Sequence, residues 1–433
     1  MSRMIFILTS TLWAVAAAAQ PPSLQLTLDD AIARGLATSA RLAEFEARQD
    51  AADAATAGRR AAGLPALALG AGYTRTNHVD EFAIVQPGQP PRIIYPDVPD
   101  NYRTRIDLQW PIFTGGRVDA LVRAAEAERS AVAVDLAAAR ADLRLEITRA
   151  FWALVTAREA EHVVRRALAS MQAHVGDLRS RFEQGLIPPN EVLSAQAQES
   201  RRRVLVIEAA NMSRIAEADL ARLLGIDDDR RIDPAAALTA PGTPATAARG
   251  NRPERAALTG RVAAADARED AAAAAFRPQV SFNGGYDVAR PNPRIFPRAD
   301  RWDPSWDVSV NVSWTVWDGG RRRADAAEAA AARRATAARV SEFDRQVRFE
   351  VEQRRLELES SVAAIDASAD AVRAATEARR VLGERYAAGV ATSTDVLAAE
   401  VAVLEAELDR TRALAGARLA EARYARAIGD GPT

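Results

Sequence analysis

The chain contains no cysteine, no lysine and only three histidines among its 433 residues. Without cysteine there is no disulfide, no thiolate chemistry and no lipid-anchored amino-terminal cysteine. All 57 basic residues are therefore arginine. Against 58 acidic residues they leave a net charge of −1, which provides no basic surplus to neutralise a nucleic-acid backbone. His78, His162 and His174 lack the close spacing of a zinc site and read as surface residues, and no cofactor is expected. The glycine pairs lack the Gly-x-x-x-x-Gly-Lys pattern of a phosphate loop. No nucleophile, base and orienting group stand in recognisable order, so no enzyme is expected. Past residue 20 no apolar run approaches the ~18 residues of a membrane-spanning helix.

Proline is missing from Ile112 to Ile187 and from Ser305 to Gly431. These two gaps hold helical runs at 117–184 and 321–388, each roughly 100 Å long at ~1.5 Å per residue. Leu136, Leu143, Ile147, Phe151, Leu154 and Val155 recur at spacings that suit coiled-coil packing. The chain opens with Arg3, an apolar core from Ile5 to Val15 and small residues at Ala17 and Ala19, the pattern of a signal peptide over 1–19. Beyond it the sequence repeats: Gly115-Gly116 returns as Gly319-Gly320, Gly185 as Gly389 and Gly225 as Gly429, always 204 residues on. The first repeat is 20–225 and the second 251–429, joined by a Pro-, Ala- and Thr-rich linker, 226–250, and followed by a short tail, 430–433. Shorter helices flank the long ones: Leu28–Ala62 and 190–224 in the first copy, Pro253–Ala275 and 393–428 in the second.

Each copy also carries two candidate strands, about 66–75 and 102–113 in the first and about 279–288 and 305–317 in the second. From Trp306 to Val316 apolar and polar residues alternate without exception, the length and period of a transmembrane strand. Half-buried strands of a soluble sandwich alternate too. Five tryptophans, Trp110, Trp302, Trp306, Trp314 and Trp317, lie in or beside the strands as an interfacial girdle would. Four strands leave two open edges, which hydrocarbon does not tolerate, so several copies must close a barrel. Three copies make twelve strands, with Arg103, Arg105, Asp107, Asn283, Asp287, Asp307 and Asn311 facing a wet lumen. Gly115, Gly116, Gly319 and Gly320 turn strands into helices, and the outer loops differ in length: Gly72 to Gly115 spans 43 residues, Gly285 to Gly319 only 34.

The Gly-Gly-Arg turn and the Arg-(Phe/Tyr)-x-x-Gly-(Leu/Val) tip, each present twice in register, resemble the TolC-type outer-membrane efflux proteins over nearly the whole mature chain. The resemblance implies a mixed α and β membrane protein, mostly α. It would be a homotrimer whose twelve-stranded outer-membrane barrel continues into a periplasmic α-helical coiled-coil barrel. Its implied partners are outer-membrane lipid, a periplasmic adaptor and an inner-membrane pump of an efflux or type I secretion system, in a Gram-negative cell. It further implies a periplasmic aperture at Asp395, Glu191 and Tyr386, and adaptor contacts at Arg181, Gly185, Leu186, Arg385, Gly389 and Val390. Ala398 and Ala391 stand where relatives place a second acidic and a basic gate residue, so one acidic ring and a looser latch are expected. Three Asp395 carboxylates meeting there would favour cations and raise the site's proton affinity. Asp395 also has a local reading, as the third residue of a capping box begun by Thr392, and Glu191 sits favourably on a helix dipole. A second function class, an exported coiled-coil stalk or adhesin, accounts for the helices but not for the strands and their tryptophans.

Overall fold

The computed structural model describes residues 24–226, 231–242 and 252–429. The expected signal peptide, part of the linker and the tail lie outside the described residues. The chain is mostly helical. In chain order it contains β1 (Leu24–Leu26), α1 (Leu28–Thr38), α2 (Ala40–Ala61), β2 (Ala66–Arg75), β3 (Phe82–Ile84), β4 (Arg92–Tyr95), β5 (Asp100–Phe113), α3 (Arg117–Glu183) and α4 (Pro189–Leu223). Then follow β6 (Ile232–Pro234), α5 (Pro253–Ala273), β7 (Gln279–Arg290), β8 (Asp303–Ser313), α6 (Arg321–Ala387) and α7 (Ser393–Ile428). The chain divides into two compact units, with the dividing lines falling within α3, at residue 141, and within α6, at residue 352.

One unit holds α2, α5, the starts of α3 and α6, and an antiparallel sheet in the order β2-β5-β7-β8. The register sets Arg105 opposite Gly70 and Asp287, and Asp307 opposite Gly285. Because side chains alternate along a strand, Arg103, Arg105, Asp107, Asn283, Asp287, Asp307 and Asn311 share one face. The other face carries Leu67, Leu69, Ile106, Leu108, Phe282, Val308, Val310 and Val312. Leu67 is 74% exposed and Val310 61%. Alanine lets the helices come close here: Ala257, Ala264, Ala267 and Ala271 of α5 and Ala120, Ala124 and Ala131 of α3 are all buried. A Cβ on Gly260 would stand 3.2 Å from that of Ala131.

The other unit packs α1, α4, α7 and the remainders of α3 and α6. The periodic residues Leu143, Ile147, Phe151, Leu154 and Val155 of this part of α3 are all buried, and so is Leu136 in the part that belongs to the sheet-bearing unit. Gly35 gives α1 its approach to α3, since a Cβ there would lie 2.4 Å from Ile147 Cδ1. Each fully buried apolar side chain of this seam stabilises the fold by about 1.5–3 kcal/mol.

Four features differ from the sequence reading. The run expected over Leu28–Ala62 breaks at Ser39, whose ψ of 113° is extended. There Thr38 donates its hydroxyl to the Leu224 carbonyl at 3.1 Å, anchoring the end of α1 to the end of α4. The strand expected over 305–317 ends at Ser313, because its partner β7 begins opposite, at Gln279. The preceding 3-10 turn instead offers the Phe276 carbonyl to the Trp314 indole at 3.1 Å. The linker, expected as a plain outer connector, contributes β6, which pairs in parallel with β1 and buries Ile232 completely. The loop between β2 and β5 folds its own hairpin, β3–β4, with Phe82, Ile84 and Tyr95 exposed.

Candidate functional site

Two sets of residues carry the candidate function: the polar face of the sheet, and the helix ends around Gly185 and Gly389. Where α3 ends, Gly185 has φ +73° and donates to the Phe182 carbonyl at 2.8 Å, while Leu186 donates to Arg181 at 2.9 Å. Gly389 has φ +76° and donates to Tyr386 at 3.0 Å, while Val390 donates to Arg385 at 2.9 Å. These are two Schellman terminations, and the left-handed angle they need is what selects glycine. Leu186 and Val390 follow, exposed at 68% and 62%.

Behind these ends the sequence-predicted residues converge in part. Tyr386 of α6 donates its hydroxyl to Glu191 of α4 at 3.3 Å. The Arg181 guanidinium covers the Tyr386 ring at 5.1 Å, and the His174 ring meets its edge at 6.3 Å. Arg181, expected as a contact for a partner, thus lies with the aperture pair. Burial pushes the Tyr386 phenol up, and the Glu191 charge adds to that effect. His174, expected at the surface, has its Nε2 buried without a hydrogen-bond partner. Burial holds its imidazole below the ordinary histidine range; Glu400 and Asp177 oppose this, while Arg181 and Arg202 reinforce it.

Asp395 does close a capping box. It accepts from the Thr392 amide at 2.9 Å and hydroxyl at 2.7 Å, and its own amide donates to that hydroxyl at 3.3 Å. The Thr392 amide, then its hydroxyl, hold the exposed carboxyl below the usual carboxylate range, with nearby Arg385 adding to this. Within one protomer the shift therefore runs opposite to the rise in proton affinity expected from a ring of like charges. Glu191 stands in the first turn of α4, which begins at Pro189 without a side-chain cap.

Sequence reasoning missed a buried polar cluster nearby. Arg202 of α4 is 3% exposed, donates to the Ala167 carbonyl at 2.9 Å and approaches Glu400 of α7 at 3.8 Å, with its Nη2 unpartnered. Glu400 also accepts from Ser170 and Arg379, both at 3.4 Å. The available signal was spacing: Arg202 falls on the stripe of Val192, Ala195 and Val206, where a charge has no solvent.

On the sheet, the polar residues predicted as a set do share a face, and Arg103 and Arg105 pair with its acids. Between β5 and α3, and between β8 and α6, stand paired left-handed glycines, Gly115 and Gly116 at φ +67° and +87°, Gly319 and Gly320 at +69° and +93°. The tryptophans at the helix-proximal ends are tied alike, Trp110 to the Gly63 carbonyl at 3.3 Å and Trp314 to that of Phe276. At the loop end the rings of Tyr73, Tyr102 and Trp302 stack in sequence, with centroids 5.1 and 5.9 Å apart.

A family model described as outer membrane efflux protein matches the chain twice, over residues 31–226 and 245–430. The chain belongs to the outer membrane efflux protein family. Solved structures of membrane proteins share the fold over more than nine-tenths of the chain. A membrane protein from Pseudomonas aeruginosa superposes with a TM-score of 0.79 at 21% identity, over 97% of this chain and 99% of that one. The outer membrane protein VceC from Vibrio cholerae gives 0.76 at 21% identity, over 93% and 96%. Among curated proteins, Protein CyaE of Bordetella pertussis is 30% identical over 234 residues, 50% of this chain. The match spans about half of that relative's length, 47%. Among the described residues of this outer membrane efflux protein, no helix is long and apolar enough to cross a membrane, and no group of three or more His, Asp and Glu is placed to hold a metal ion.

Proposed function

We propose that this member of the efflux family is the outer-membrane duct of a tripartite efflux or type I secretion apparatus. Three copies close a twelve-stranded barrel and a periplasmic helical tunnel, which receives substrate from an adaptor and an inner-membrane pump. The carrying observation is the sheet. One of its faces is apolar, exposed and bordered at both ends by aromatic rings, the other polar, and β2 and β8 leave open edges. Unpaired backbone groups in hydrocarbon each cost several kcal/mol, so the edges must meet other copies. Helix faces support the same assembly: Leu193, Val204 and Ile215 recur every 11 residues along α4 and are exposed, as are Phe349 and Leu356 on α6. The double family match supports the two-copy architecture. A stalk or adhesin has no use for an exposed apolar sheet face.

In this reading the tips around Gly185 and Gly389 meet the adaptor, and Asp395 with the Glu191–Tyr386 pair borders the aperture. Fractionation tests the duct. The chain should leave the outer membrane only with detergent and run as a compact trimer before heating and as a monomer after. A stable monomer soluble in plain buffer would sink the proposal.

A further inference from the structure

The charges on the polar face of the sheet are confined to its loop-proximal half. Nearer the helices the same face carries Gln109, Ser281, Asn283, Ser309 and Asn311, all uncharged. In the charged half, Arg105 of β5 reaches across β7 to grip Asp307 of β8 with two nitrogens, at 2.9 and 3.1 Å. It also bonds Asp107 on its own strand at 2.6 Å and comes within 3.7 Å of Asp287 on β7. Arg103 holds the buried Asp287 at 2.6 Å, and Arg294, from the loop after β7, holds Asp307 at 2.8 Å. Three guanidiniums and three carboxylates thus balance within one chain.

The crossing depends on residue 285 having no side chain. A Cβ on Gly285 would stand 2.0 Å from the Arg105 Nη2 and 2.5 Å from its Cζ, and the three nearest atoms all belong to that guanidinium. The arginine lies in a slot cut by one glycine. Beside it, over Gly70, Gly72 and Thr74, is a groove of about 470 Å³ that a displaced guanidinium can enter. A guanidinium wrapped by carboxylates shows little field to a passing solute; set loose in a pore, it repels cations and attracts anions.

We infer that Arg105 is the residue that sets charge discrimination in the barrel: seated in the Gly285 slot among Asp107, Asp287 and Asp307, it keeps the lumen wall neutral, so the barrel passes anionic and cationic solutes alike. This rests on the channel reading above. Discrimination then falls to the helical end of the duct. The clasp also joins a strand of the first copy to two of the second, which neither copy can do alone.

Reversal potentials of the full-length protein in a planar bilayer under a potassium chloride gradient test the inference. Gly285→Ala and Arg105→Lys leave the formal charge unchanged. Arg105→Lys should lower the chloride-to-potassium permeability ratio several-fold, because an ammonium cannot span three carboxylates and leaves them bare to the lumen, and Gly285→Ala should move the ratio off the wild-type value by parting the guanidinium from those carboxylates. Asp307→Asn should raise the ratio, since it leaves one guanidinium charge unbalanced, and adding Arg105→Gln to it should restore the wild-type value. Wild-type ratios in conducting Gly285→Ala and Arg105→Lys pores would overturn the clasp. Arginine labelling with phenylglyoxal in detergent, read by mass spectrometry, does not need conduction. Arg105 should resist in the wild type and react in Gly285→Ala; equal reactivity overturns the inference. A wild-type chain that forms no pore yet protects Arg105 would sink the channel reading and leave the clasp standing.

Discussion

At the scale of single residues, two titrating groups near the helix ends act in different pH windows. The His174 imidazole sits below its ordinary value of ~6.5 because burial penalises the charged form. Its contribution is complete above that value. As pH falls from ~6.5 towards the lowered folded value, the unfolded chain takes up the proton first and stability drops. His174→Phe should flatten this loss: thermal melts of wild type and variant should diverge from neutral to mildly acidic pH, and parallel curves would show that His174 carries no such role. Asp395 is shifted in the direction usual for a carboxylate, so its capping contribution persists above ~3.9 and is lost only as pH falls through its lower folded value. Its two roles separate by mutation. Thr392→Ala removes the hydroxyl half of the cap at about 1 kcal/mol and should leave ion selectivity intact. If Asp395 borders the aperture as proposed, Asp395→Ala should remove the cap and also lower cation selectivity and block by polyvalent cations in single-channel recordings. Unchanged selectivity in that variant would confine Asp395 to capping. The box was legible from Thr392 and Asp395 three residues apart; the unpartnered Nε2 of His174 was not, because nothing local to residue 174 marks that nitrogen as shielded.

At the scale of elements, equivalent turns in the two copies sit in different surroundings. All four paired glycines need the left-handed region, which costs a residue with a Cβ about 1–2 kcal/mol. At Gly115 a Cβ would in addition press to 2.9 Å on both the Ala274 carbonyl oxygen and the Arg277 Cβ; at Gly319 it meets nothing within 4 Å. Arg277 also donates to the Gly115 carbonyl at 3.0 Å. The second turn is held from within its own copy, by Arg322 on Asp318 at 2.7 Å. Gly115→Ala should therefore destabilise by more than Gly319→Ala in urea titrations of the detergent-solubilised protein. Equal losses would mean that only the backbone angle matters. The helix ends give a second prediction at this scale. Leu186→Asp and Val390→Asp place charge on exposed positions just past intact Schellman terminations, so the trimer should still assemble while export fails; export that survives both would move the adaptor elsewhere. Helix lengths and glycine stops were readable because period, proline gaps and left-handed glycines are local properties. The end of β8 at Ser313 was not, since alternation continues to Val316 and only the start of the partner strand ends the ladder.

At the scale of the whole molecule, the apolar surface of one copy is the main physical fact. The sheet exposes Leu67, Leu69, Val308, Val310 and Val312, and α4 exposes Leu193, Val204 and Ile215. In the proposed duct, lipid covers the first group and neighbouring copies of the trimer cover the second. Val204→Glu with Ile215→Glu should replace the proposed trimer with monomers without loss of helical circular dichroism, and a trimer that persists would place that face outside the contact. The sequence by itself determined the left-handed glycine stops and the side of each strand on which polar residues fall, because turn chemistry and two-residue alternation are written within a few neighbouring positions. Only the tertiary structure decided which arginines find acids, that Gly285 makes room for Arg105, that Arg202 and the Nε2 of His174 are buried, and that the linker adds a strand beside β1. Those outcomes depend on registers between segments some 180 to 210 residues apart, and no local pattern encodes a register across such a distance.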